Sequence, residues 1–97
     1  MSLGRGQLAK YLNIASATTT TVKSGPGALV AIIVNKAVAS STITIYDNTA
    51  GSGTKIGTIT NPGTLLKNQY DQPYLCQFAT GLTIVTSGAD DITVIFV

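Results

Sequence analysis

The chain has no histidine, no glutamate and no tryptophan, and its one cysteine is Cys76. Each absence removes a class of chemistry. Without histidine there is no Ser-His-Asp triad and no Cys-His dyad. Imidazole metal sites go with it, and one thiolate cannot build a structural zinc site. A single cysteine forms no internal disulfide, so this is not the disulfide-framed type of small secreted domain. Cys76 sits in the apolar run "PYLCQFA", where a free cysteine behaves as a small buried hydrophobe. A reactive thiol would want clustered cations or a histidine beside it.

Charge is also scarce: 10% of residues, against about 25% in an ordinary soluble domain. The acids are Asp47, Asp71, Asp90 and Asp91; the bases are Arg5, Lys10, Lys23, Lys36, Lys55 and Lys67, and the net charge is +2. Those bases are scattered singly, without the clustering and aromatic stacking platforms of a nucleic-acid surface. No nucleic-acid partner is expected. The tandem Asp90-Asp91 beside Gly88 reads as a hairpin turn with solvated carboxylates, because a calcium site needs more converging oxygens. No metal or cofactor is expected. No apolar run reaches the 18 residues that would span a membrane. The "YLNIA" before Ser16 is too short and too polar for a signal-peptide core. Neither a membrane partner nor secretion by a signal peptide is expected.

What replaces charge is threonine, fifteen in 97 residues. Threonine is β-branched and suits a pleated, half-exposed surface, so the substitution points to strands over helices. A surface poor in charge is also poorly protected against association.

Along the chain, Met1–Ala17 reads as an extended N-terminal arm. Its apolar residues Leu8, Leu12 and Ile14, with Tyr11, cannot form a core alone, so they are candidate oligomer or capsid contacts. Residues 18–97 read as one domain. Thr18–Thr21 favours a strand, and "GPG" at Gly25–Gly27 a turn. "ALVAIIVN", Ala28–Asn35, predicts a central strand covered on both faces. "STITIYD" alternates like a half-buried strand. "TLLKNQYDQ" reads as a loop with at most one helical turn. "PYLCQFA", starting at Pro73, and "LTIVTS" follow as strands. In "DITVIFV", Ile92, Val94 and Phe96 share one face. Seven to eight short strands at roughly ten-residue spacing predict an all-β fold. The expected architecture is a small antiparallel β-sandwich, a jelly roll among the arrangements that fit.

One stretch imitates a chemical motif: "IYDNTAGSGTKIGTI", Ile45–Ile59. A phosphate-gripping P-loop needs Gly-Lys-Ser/Thr in that order and a helix after it. Here Gly53 is followed by Thr54 and then Lys55, and "KIGTIT" alternates like a strand. The stretch therefore reads as a hairpin with an exposed loop of Asn48, Thr49, Gly51, Ser52, Gly53 and Thr54. Asp47 and Asn48 would bond local backbone, and Gly51 and Gly53 would supply positive φ. A mobile tip is expected.

From Ser41 onward the cadence of "TITIYDNTAGSGTKIGTI" and "YDQPYLCQFATGLTIVTSGADDITVIF" resembles the small all-β virion structural proteins of tailed bacteriophages. The resemblance implies a non-enzymatic role in the virion, as a capsid decoration or cement protein or a fibre- or tail-associated part. It implies partners too: other copies of itself, as a homo-oligomer such as a trimer, and a capsid or tail protein. It brings no catalytic residues, and residues 1–40 carry none of it. The virion is the expected location, after synthesis in the host cytoplasm. The alternative is a receptor- or glycan-binding β module of a phage fibre or tail, with the Asn48–Thr54 loop, Tyr46 and Tyr70 as its site.

Overall fold

The computed structural model describes residues 8–97, which hold eight strands and no helix. The strands are β1 (Lys10–Ile14), β2 (Thr19–Ser24), β3 (Gly27–Lys36), β4 (Thr42–Tyr46), β5 (Lys55–Thr60), β6 (Tyr70–Phe78), β7 (Gly81–Thr86) and β8 (Asp91–Phe96). They form two four-stranded sheets, in the orders β1-β8-β3-β6 and β2-β7-β4-β5. Every pairing is antiparallel. Only β4 and β5 are both consecutive and paired; every other connection crosses between sheets. Eight strands wound this way make a β-sandwich of the jelly-roll kind.

The core follows from period-two alternation. Ile43 and Ile45 of β4, Leu82 and Ile84 of β7, and Ile92, Val94 and Phe96 of β8 all point between the sheets and are buried. Each such large side chain contributes about 1.5–3 kcal/mol on burial. In β3 the phase slips: Leu29 and Ile32 are buried with two residues between them, because a bulge falls between Leu29 and Ala31. β3 is central in its sheet, as its apolar run predicts, but only one of its faces meets the core. A two-sheet sandwich has a single interior, so Val30, Ala31 and Ile33 stay half-buried on the outside.

Two more expectations need adjustment. The N-terminal arm lies outside the described residues at 1–7, but Lys10–Ile14 is strand β1, in regular register with β8 from Lys10↔Phe96 to Ile14↔Ile92. Ile14 is 5% exposed and belongs to the chain's own core, with Leu12 packed against it. The alternation of Leu12 and Ile14 with Tyr11 and Asn13 carries this strand. β6 begins at Tyr70, ahead of Pro73; a proline inside it is tolerated because β6 is a terminal strand. Residues 64–69 form bends with no helical turn.

Candidate functional site

The β4–β5 loop is a hairpin connection and not a phosphate cradle. The Asp47 amide donates to the Thr54 carbonyl at 2.8 Å and closes it. Inside, the Asn48 side chain donates to the Ser52 carbonyl and accepts from the Thr49 amide. Gly53 has φ +95, which glycine adopts without strain. A side chain there would also strike Asn48. Gly51 has another role: a Cβ on it would lie 2.9 Å from Val85 and 3.0 Å from Thr19, so the tip rests on β7 and β2. The tip remains exposed on its far side. It is nevertheless anchored: the Thr83 hydroxyl donates to the Asn48 carbonyl at 2.7 Å, and the Thr21 hydroxyl to that of Thr49. Thr83, on the outer side of β7, is thereby fully buried.

Asp47 serves the neighbouring turn. Its carboxylate accepts from the amides of Ala79, Thr80 and Gly81. Those backbone hydrogen bonds, Ala79 and Thr80 foremost, hold its pKa below the ordinary aspartate value. Tyr46 ends β4 beside this loop. Tyr70 does not join it: its hydroxyl donates to Asn61, which follows Thr60, the partner of Thr42 at the opposite end of the hairpin. The loop, Tyr46 and Tyr70 are therefore not one site.

Asp90 departs furthest from its sequence reading. It is fully buried, whereas a solvated hairpin turn was expected. One carboxylate oxygen accepts from the Val38 amide (2.9 Å), the Ser41 hydroxyl (2.8 Å) and the Asn61 side-chain amide (2.8 Å). The other oxygen is buried without a partner. Tyr70 extends the network through Asn61, and burial, helped by the Asp90 charge, raises its pKa. Asp90 thus ties the β3–β4, β5–β6 and β7–β8 connections together. Its neighbour Asp91 is half-buried and accepts from Asn13 and Asn35. Cys76 is half-buried beside the core, and burial pushes its thiol pKa up, which suits packing and disfavours nucleophilic use.

The two outer faces of the sandwich differ. On the β2-β7-β4-β5 sheet the β4–β5 loop lies across β7. On the β1-β8-β3-β6 sheet the register lines up Tyr11, Ile95, Ala31 and Pro73 in one row across all four strands. Val30 and Leu75 flank that row. Tyr11 is 76% exposed and Leu75 72%, the latter in the left-handed region at φ 52 where the strand bulges. The adjoining row is Asn13, Thr93, Ile33 and Asp71, so the apolar area has one polar border. Of the N-terminal candidates, Leu8 and Tyr11 are exposed, Leu12 is half-buried and Ile14 is core. The sequence reading missed this face because its residues come from four strands and meet only through register.

A groove of about 570 Å³ runs between β5 and β6. Tyr70, Tyr74, Leu65 and Gln72 line it. Gly57 makes room there: a Cβ on it would lie 2.9 Å from the Tyr74 hydroxyl. No helix among the described residues is long and apolar enough to cross a membrane. No known protein family, curated protein or solved structure matches the chain.

Proposed function

We propose that the chain is a non-enzymatic structural protein of a tailed-phage virion, a self-associating capsid decoration or cement protein. The observation that carries this reading is the apolar row Tyr11–Ile95–Ala31–Pro73 on one outer face, exposed at Tyr11 and Pro73 and half-buried at Ile95 and Ala31, while the loop lies over β7 on the other. Contiguous exposed apolar area on a small domain marks an interaction surface. The charge-poor composition supports the same reading, since little on the surface opposes contact. The virion setting rests on the cadence of residues 41–97. Co-sedimentation with capsids, with light scattering on the free protein, tests it. Binding to particles and an oligomeric mass are expected; a monomer that stays in the supernatant would refute both parts.

A second reading, a glycan-binding module, draws on the groove between β5 and β6. Tyr74 and Tyr70 offer aromatic surface there, and Gln72, Thr58 and Thr60 offer polar groups. On this reading Tyr74→Ala abolishes a glycan-array signal that changes in the Asn48–Thr54 loop leave intact. Absence of any signal from the parent protein excludes it.

A further inference from the structure

We propose that two copies of the chain join through β1, antiparallel across a twofold axis, into one continuous eight-stranded sheet. The inference rests on the self-association proposed above and not on the virion setting. It comes from comparing the four terminal strands. A strand at a sheet edge offers unpaired N–H and C=O groups to any other strand, and proteins blunt such edges with bulges, prolines and charges. Three of the four edges here are blunted. β2 has a register break between Thr21 and Lys23. β5 has one against Ile45 and Tyr46. β6 has Pro73, which lacks an N–H, followed by the bulge with Leu75 in the left-handed region. β1 has neither: its five residues run in unbroken register, with Lys10 as the single charge.

The β1 sequence also suits pairing with itself. Centred on Leu12, an antiparallel pair sets Leu12 opposite Leu12, Tyr11 opposite Asn13 and Lys10 opposite Ile14. No like charges face each other, which cross-strand pairing penalises. Leu12 is only half-buried in one copy, on the side that faces the core, and the second Leu12 would cover it. On the outer side the two Tyr11–Ile95–Ala31–Pro73 rows become parts of one surface. Such an isologous contact closes on itself and does not propagate into fibres. Five paired residues a side make a small interface compared with the roughly 800 Å² per partner of a stable complex, so the dimer should depend on concentration.

The test uses the full chain in a Cys76→Ser background. Leu12→Cys places two thiols across the twofold axis, within the Cα separation that disulfides and antiparallel neighbours share. Under oxidising conditions we expect a disulfide-linked species of doubled mass, reversed by reductant. Thr21→Cys on β2 and Thr58→Cys on β5 should give none. Hydrogen exchange on the unaltered protein is independent of any folding defect in these variants: β1 amides should gain protection as concentration rises, and β5 amides should not. An oligomer without cross-linking at position 12 and without protection of β1 overturns the edge proposal while leaving self-association standing. A monomer at every concentration overturns the edge proposal along with self-association, and particle co-sedimentation then judges the virion reading separately. Protection of β1 only when another protein is added overturns the homotypic pairing.

Discussion

Replacing Asp90 with alanine should destabilise the fold by about 2–3 kcal/mol. The figure follows from its hydrogen bonds. Of the three donors, Ser41 keeps an alternative acceptor in the Val38 carbonyl at 2.9 Å, and Asn61 keeps the Ser41 hydroxyl at 3.0 Å. The Val38 amide has no such substitute in the network. With Ser41 and Asn61 rehoused, the main loss is at the Val38 amide, a buried donor left unsatisfied, at about 1–3 kcal/mol. A small cavity adds to this. Relief from burying a charge offsets part of it. For a chain of this size the total corresponds to a fall in Tm of roughly 8–24 °C. Urea unfolding followed by circular dichroism, with Asp91→Ala alongside, measures it. Asp91 is half-buried and bonded to two side-chain amides, so its loss should cost less than about 1 kcal/mol. Asp90→Asn keeps the volume and an accepting oxygen, and should fall between wild type and Asp90→Ala. An Asp90→Ala variant within about 0.5 kcal/mol of wild type, as a solvated turn residue would give, refutes the argument.

Other perturbations separate the remaining claims. Gly27→Ala would force a methyl against the Val97 carbonyl and the Phe78 ring; overpacking of this kind costs about 1–3 kcal/mol, read from the same urea curves. Leu75→Gly should act in the opposite direction, raising stability by about 1 kcal/mol as left-handed strain is relieved, while weakening any association through the outer face. The Asp47 pKa is lowered in the folded state, so its stabilisation is present at neutral pH and disappears as pH falls below about 4. Asp47→Asn should therefore trail wild type at pH 7 and converge with it in acid; a gap independent of pH contradicts the clamp on the β6–β7 turn. Deleting Met1–Lys10 should weaken the oligomer, and an unchanged mass by light scattering would remove the N-terminus from the interface.

The strands that were legible in the sequence are those whose pattern is local. "STITIYD" and "DITVIFV" alternate along their own length, and their inward residues are those that fill the core. The β4–β5 hairpin was legible too, because it is the one pairing between consecutive strands. The jelly-roll order was not, since β1 pairs with β8 and β2 with β7, and nothing local records such distant partners. β1 itself was obscured by brevity and by Asn13 and Lys10 within it. Asp90 was misread for a similar reason: its three donors come from positions 38, 41 and 61. A pair of acids beside glycine resembles a solvated turn until those loops converge. Gly51 was given a φ role when it has a packing role, because only the folded loop brings Val85 and Thr19 to it.

The scarcity of charge reads differently once the fold is known. A sandwich with so few charged residues must be kept from indiscriminate pairing by other means, and the backbone supplies them: bulges in β2, β5 and β6, a proline in β6, and a loop laid over β7. These devices are not spread evenly. Among the described residues, they leave β1 and the face it shares with Ile95, Ala31 and Pro73 without protection. If poor protection were mere tolerance, the unprotected area would fall at random among the edges and faces. Instead the one regular edge adjoins the apolar face, so a copy that pairs with β1 also extends that face. The β1 contact therefore accounts for the regular edge, and it doubles the apolar face beside it instead of covering it.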